Sequence, residues 1–383
     1  MNIKQDKSGD GLPISRIETI AASVVDPERV GYAGLDKTNC RDWLLKAGDI
    51  LFSHINSVEH VGKCAVYRGI PEQLVHGMNL LCLRPDPSRL DPEFGKYLIR
   101  SASFKTSLSN FINKAVNQAS VSIGNLRTIP VSLPPLPEQR RIAAILDQAE
   151  TLRTQRRAAL AQLDSLTQSL FLDMFGTEKA KEWPTTTIAD ITDEQNGSIR
   201  TGPFGSQLLH SEFVGEGIAV LGIDNAVANE FRWGERRFIT QAKYRELQRY
   251  TVRPGDVLIT IMGTCGRCAV VPNGVPVAIN TKHLCCITVD QKKCLPLFLH
   301  AYFLRHPSAR KYLEQTAKGA IMAGLNMGII KAMPVSLPPL PLQQTFATRI
   351  QAIEALKTQH RAALAAQDAL FASLQQRAFA GTL

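Results

Sequence analysis

Residues 130–137 read PVSLPPLP, and the same eight residues recur at 334–341, 204 positions later. Sliding the chain by that interval extends the match in both directions. Downstream, Glu150, Leu152, Thr154, Gln155, Arg157 and Asp164 meet Glu354, Leu356, Thr358, Gln359, Arg361 and Asp368. Upstream, Phe94 meets Phe298, and VGKCAV (61–66) faces CGRCAV (265–270). AGDILF (47–52) resembles PGDVLI (254–259), but only after a shift of three residues. The chain is therefore a tandem duplication of a globular region, a proline hinge and a helix. Its 383 residues suit two cores, since single cores tend to split beyond roughly 250 to 300 residues.

The helices follow from apolar spacing. From Ile142 onward, Ile145, Ala149, Leu152, Ala159, Leu163, Leu166 and Leu170 recur at three- and four-residue steps, which predicts a coiled-coil seam interrupted by Arg156. Phe346, Ile353, Leu356, Ala363, Leu370 and Leu374 repeat it, with His360 as the interruption. Pro137 and Pro341 suit a first helical turn, and Glu138 adds a favourable charge at the positive end of the helix dipole. Two such helices are expected to pack antiparallel, giving a pseudo-twofold ring from one chain.

The globular stretches carry short apolar runs (DILFSHI, LLCLRP, DVLITIM, HLCCITV) punctuated by Gly, Pro, Asn and Asp, which read as strands of a mixed α/β (α+β) domain. Helices near Pro92–Phe111 and Pro296–Gln315 are expected to cover the sheets. The expected division is a first domain over 1–136, a spacer helix over 137–176, a second domain over 177–340 and a second helix over 341–383.

The formal charge of +10 favours a polyanionic partner, because Lys and Arg gain affinity by displacing counterions from phosphates. Residues 136–176 hold five basic and five acidic side chains, so most of the excess lies in the globular stretches. No apolar run approaches the ~20 residues that span a bilayer, and MNIKQDKSGDG lacks a signal-peptide core; a cytoplasmic protein away from the membrane is expected. The eight cysteines then read as reduced thiols. Cys265 and Cys268 form a CxxC with His283, Cys285 and Cys286 following, the spacing of a zinc site. The repeat favours buried thiols instead, because Cys265, His283 and Cys285 have no Cys or His counterpart in the first copy. No P-loop and no HExxH occurs, and Leu leads both LPPL copies where adenine methyltransferases carry Asn or Asp. No metal and no catalytic residue is expected in this chain.

LPPLPEQRRIAAIL (133–146), its partner LPPLPLQQTFATRI (337–350) and TGPFGSQLLHSEF (201–213), within a duplicated strand–helix–hinge–helix pattern, resemble the specificity subunit of a type I restriction-modification system. The resemblance covers nearly the whole chain. It implies a non-catalytic protein in which each globular unit reads one half of a bipartite, asymmetric site on double-stranded DNA while the helices fix the spacing. It also implies partners: two adenine methyltransferase subunits, and restriction (translocase) subunits. S-adenosylmethionine, ATP and Mg are expected on those partners and no cofactor on this chain. Two departures stand out. Leu342, Gln344 and Thr345 replace Glu138, Arg140 and Arg141, so two docked partners need not be held equally, and the first unit lacks a counterpart of TGPFGSQL. A helical scaffold that binds DNA without sequence preference, and an unrecognised DNA-modifying enzyme, remain the alternative readings.

With that resemblance, the densest DNA-facing stretch is 231–256, where Arg232, Arg236, Arg237, Gln241, Lys243, Arg245 and Arg249 interleave with Trp233, Phe238, Tyr244 and Tyr250. Arg200 precedes it. In the first unit the candidates are Lys37, Asn39, Arg41, Lys63 and Arg68, with Lys114 and Gln118 in a loop-like stretch whose counterpart keeps Lys318.

Overall fold

The computed structural model describes residues 5–115, 118–193, 197–317 and 324–383. The chain separates into two compact units, Met1–Ala158 with Arg361–Leu383, and Ala159–His360. Each unit thus takes part of both long helices.

Unit 1 holds strands β1 (Ile50–Ser53), β2 (Ile55–Asn56), β3 (Cys64–Val66), β4 (Leu80–Leu83), β5 (Asn113–Ala115) and β6 (Gln118–Ser120), and helices α1 (Pro92–Arg100), α2 (Ala102–Ser109) and α3 (Ile123–Thr128). The central sheet is antiparallel in the order β3-β1-β4. Both of its faces are covered, which is why ILFS reads as an unbroken buried run rather than an alternation. Ile50 and Phe52 pack with Ile99, Phe104 and Leu108, while Leu51 packs with Ile20, Leu45 and Tyr67. Asp91 caps α1 by accepting from the amides of Glu93 and Phe94, with Pro92 in the first turn. The long helix α4 (Leu136–Phe175) follows the proline hinge.

After its part of α4, unit 2 continues with α5 (Thr177–Ala180) and β7 (Thr185–Thr187), followed by β8 (Ile199–Thr201), β9 (Ile218–Leu221), β10 (Phe238–Ile239), α6 (Gln241–Glu246) and β11 (Thr251–Val252). Then come β12 (Val257–Thr260), β13 (Cys268–Val270), β14 (Ala278–Asn280), β15 (Leu284–Ile287), α7 (Pro296–Arg305), α8 (Pro307–Ala317), α9 (Met327–Lys331), β16 (Pro334–Ser336) and the second long helix, α10 (Leu340–Phe379). The order β13-β12-β15 repeats β3-β1-β4 residue for residue: Val257 faces Val270 and Ile287 as Ile50 faces Val66 and Leu83. The three-residue slip in the repeat is absorbed between the first two strands of each frame, where residues 54–63 of unit 1 stand against 261–267 of unit 2. Gly48 and Gly255 make the tight turns that lead into those frames, both with positive φ. Unit 2 adds β8 to the sheet edge and a second sheet, β10-β9-β14-β11, in which β14 runs parallel to β9. Leu258, Ala269 and Cys286 pack against Ala219, Leu221 and Ala278 between the two sheets.

Within each unit the helices run antiparallel. In unit 1 Arg153 pairs with Asp368 at 2.6 Å, and Arg141 donates to the carbonyl of Leu383. In unit 2 Lys357 pairs with Asp164 at 2.8 Å, and Phe171 packs on Phe346. The seam differs from the expected one in phase. Leu152, Leu166, Leu356 and Leu370 are exposed, whereas Arg153, Thr167, Lys357 and Phe371 point inward. Heptad steps counted from the buried Leu146 reach Arg153 and Thr167 rather than Leu152 and Leu166, and the long cationic side chains bury their stems while their heads reach carboxylates on the opposite helix.

Candidate nucleic-acid interface

Two buried polar devices fix each frame and so present its surface loops. Gln139 accepts from the amide of Asp91 (2.9 Å) and donates to the carbonyls of Arg89 (2.9 Å) and Pro134 (2.8 Å). Gln343 does the same to Leu295, Lys293 and Pro338, each 204 positions on. Both glutamines are buried, so every lost bond would strand a polar group away from water. The second device is the Asp of the GD turns. Asp49 accepts from the amide of Lys46 and is bound by Arg84, and Asp256 accepts from the amide of Arg253 and is bound by Arg200. Despite burial, those hydrogen bonds hold Asp49 below the usual carboxylate range.

Arg200 is thus corrected from a DNA contact to a structural cation. Its side chain is 10% exposed, and it also donates to Thr288 and to the carbonyl of Thr251. The other positions in unit 2 divide. Trp233 is exposed, stands edge-on to Phe231 (5.4 Å) and carries Arg236 over its ring at 5.6 Å. Arg232, Gln241, Arg245 and Arg249 are exposed; Arg232 pairs with Glu230, and Arg249 lies over the Tyr250 ring at 4.6 Å. Arg237 is tied to Asp224. Lys243 is held between Glu212 (2.8 Å) and Glu246 (3.0 Å), whose carboxylates raise its pKa. Tyr250 is buried, and Phe238 and Tyr244 pack in the core, so these three aromatics brace the fold.

In unit 1, Lys37, Asn39 and Arg41 are exposed and lie close in sequence to Trp43, which is itself exposed and stacked on His76. Asn39 closes a local turn with Asp36. Lys63 donates to the carbonyl of Ala21, and Arg68 is paired with Glu93 at 2.6 Å on the flank of α1. Lys114 and Gln118, expected in a loop, sit on paired strands. Lys114 faces Ala119 and Ala115 faces Gln118, so the two candidates project from opposite faces of the ladder. Lys318 lies outside the described residues.

Residues 4–162 and 228–366 match the type I restriction modification DNA specificity domain. The chain belongs to that family. It is similar to the type I MjaX specificity subunit of Methanocaldococcus jannaschii, with 29% identity over 368 residues covering 93% of this chain and 83% of that one. The EcoBI specificity subunit of Escherichia coli is 24% identical over 361 residues, covering 82% and 74% of the two chains. Among solved structures, the fold is similar to a chain studied for complex assembly and conformational transition of the type I R-M system (TM-score 0.56, 17% identity, 97% and 92% covered). It is also similar to the type I S subunit from M. genitalium (TM-score 0.54, 15% identity, 87% and 83% covered). The role of this family member is DNA sequence specificity, not catalysis.

Several features of this family member escaped the sequence reading. The glutamine latch was legible as the polar residue kept in both copies of PLPxQ. The exposed leucines form a second feature. Leu152 and Leu370 stand one residue before the inward-facing Arg153 and Phe371, and in an antiparallel pair that places both on one face of unit 1. Leu166 and Leu356 make the equivalent pair in unit 2. The thiols sit in apolar surroundings: Cys268 and Cys285 flank Ile259 on one sheet face, and Cys286 points to the other, toward Asp256. Cys268 and Cys285 are two strand spacings apart, roughly 9 to 10 Å, too far to share an ion directly. Burial pushes the Cys285 thiol up to about 12. No helix among the described residues is long and apolar enough to cross a membrane.

Proposed function

We propose that the two globular domains each read one half of a bipartite site on double-stranded DNA, and that α4 and α10 set the distance between the halves. The observation that carries this reading is one frame with two decorations. The sheet register, the glutamine latch and the buried Asp recur in both units, while the elements around them differ. Exposed Trp233, Arg236, Arg232, Gln241 and Arg245 in unit 2, and Lys37, Asn39 and Arg41 in unit 1, supply the guanidinium, ammonium and amide groups that groove and phosphate contacts need. A 40-residue helix is roughly 60 Å long, a rigid spacer.

The leucine pairs support docking of two adenine methyltransferase subunits, because apolar side chains exposed at matching places in both units suit a repeated protein contact. Restriction subunits would join the same assembly. S-adenosylmethionine, ATP and Mg would be bound by those partners in the cytoplasm, with no cofactor on this chain.

Genome-wide mapping of methylated adenine in cells carrying the complex tests the reading. Arg236→Ala with Trp233→Ala should relax one half-site and leave the other intact. Deleting one heptad from α4 together with its mate in α10 should change only the spacer. Changed half-sites after the heptad deletion would refute the ruler, and binding without sequence preference would favour a scaffold.

A further inference from the structure

The two copies of PVSLPPLP adopt different structures at their first three residues. In unit 2, Pro334–Ser336 forms β16 and pairs antiparallel with Thr185–Thr187. Leu337 donates its amide to the carbonyl of Pro184 (3.1 Å) and Ile188 to that of Met333 (3.1 Å). Hydrogen-bonded pairs alternate along such a ladder, so Val335 and Thr186 form the bonded pair between them. Val335 is fully buried, and Trp183, at the start of the covering segment, packs edge-on to Phe175 at 5.9 Å.

In unit 1 the identical Pro130–Ser132 pairs with no strand among the described residues, and Val131 is 46% exposed. A groove of about 360 Å³ runs beside it, lined by Phe94, Leu98, Ile142 and Phe379. All four have aromatic counterparts 204 positions away in unit 2, namely Phe298, Tyr302, Phe346 and Phe175; Phe298 and Phe346 pack against Phe175 with centroids 5.0 and 5.2 Å away, and Tyr302 packs on Phe298 at 5.8 Å. One backbone edge over one apolar floor is therefore covered by WPTTT in unit 2 and, among the described residues, by no strand in unit 1.

We propose that the Pro130–Ser132 edge is a docking site for an extended segment of a protein partner, added as an antiparallel strand in the way that Thr185–Thr187 is added to Pro334–Ser336. The proposal rests on the multisubunit assembly proposed above. The occupant is defined by what fills the same place in unit 2: an aromatic residue that wedges against the Phe379 side of the groove, followed by β-branched residues that form the ladder. Main-chain bonds supply the affinity of such an added strand, and the aromatic supplies selectivity.

The test uses the full chain and two probes. A peptide with the sequence of Thr177–Ile188 should bind saturably and slow amide exchange at Val131 and Leu133. The same two amides should be slow in the complex assembled with the methyltransferase subunit. Val131→Pro removes an amide that the added ladder needs, at an exposed position outside any strand of unit 1. It should weaken peptide binding at least about tenfold and impair assembly while leaving DNA binding unchanged. Fast exchange at both amides in either experiment, or an unaltered peptide affinity in Val131→Pro, overturns the proposal. Loss of sequence-specific methylation by the unaltered protein would instead refute the functional reading, and the exchange results would still decide the groove.

Discussion

Units 1 and 2 are built on one frame, yet the same residue is placed differently in each. Val131 and Val335 occupy the same place in the same octapeptide, the first 46% exposed and the second fully buried. Lys96 and His300 occupy the same place in α1 and α7. Lys96 is a buried cation between Glu93 (2.6 Å) and Asp147 (2.9 Å), whereas His300 is a half-buried ring near the carbonyls of Asn229 and Cys268. Arg153 and Lys357, in contrast, perform one task in both units, each bridging its own-helix glutamate to an aspartate on the opposite helix. The glutamine latch and the cation bridge across the helix seam are thus constant, and what packs around them is free to diverge. That division suits a protein whose spacing must stay fixed while its reading surfaces change.

The largest expected effect breaks the identity of the two octapeptides. Val335→Asp places a carboxylate in the core of unit 2 and should destabilise it by about 4 kcal/mol, while Val131→Asp should cost under about 0.5 kcal/mol. Because two units need not unfold together, the readout is amide exchange of β12 and β1 rather than one melting curve. Equal costs would mean that the two edges are equally covered.

The Lys96–His300 difference predicts different acid sensitivity. Burial, reinforced by Arg305, lowers the His300 pKa to about 4, against the ordinary 6.5. Between those values only the unfolded chain takes the proton. Unit 2 therefore keeps this stability above about pH 6.5 and loses it as the pH falls toward 4, a total of about 3 kcal/mol. His300→Gln should flatten that part of the profile. In unit 1, despite burial, hydrogen bonds from Tyr97 and Lys96 hold Asp147 below its usual range. Its contribution is present above the ordinary carboxylate pKa and is lost only as the pH falls below it. Exchange from β12 should accelerate near pH 5 while that from β1 does not, and the reverse order would refute the assignment.

Much of this frame was legible in the sequence because duplication displays it twice. The slip between AGDILF and PGDVLI reflects a loop of different length, since paired strands cannot absorb three residues without a bulge. The heptad phase was misread because Leu152 and Leu166 are apolar and nearly in register, and only the carboxylates of Asp368 and Asp164 show why cations take the inward places. Arg200 was misassigned for a similar reason. Its partner Asp256 is 56 residues away, so an arginine bound to a buried carboxylate looks, in one dimension, like an arginine bound for phosphate. The candidates that stay exposed, such as Arg236 and Arg41, could not be told from it by composition.

The smallest expected effect sharpens the one place where the units agree. Arg153 reaches Asp368 at 2.6 Å and lies over the Phe371 ring at 4.3 Å, while Lys357 reaches Asp164 at 2.8 Å and donates to Thr167. Phe371 and Thr167 occupy the same place in the repeat, so each cation matches its neighbour: a planar guanidinium covers an aromatic face, and a compact ammonium suits a hydroxyl. Arg153→Lys forfeits the ring contact, and Lys357→Arg puts a bulkier head in a space 4% exposed. Each should cost about 1 kcal/mol with charge unchanged. Making Thr167→Phe together with Lys357→Arg should recover part of the second loss, as judged by a double-mutant cycle on amide exchange of α10. Costs that add without coupling would show that the cations act through charge alone, and that the match with position 167 or 371 has no energetic content.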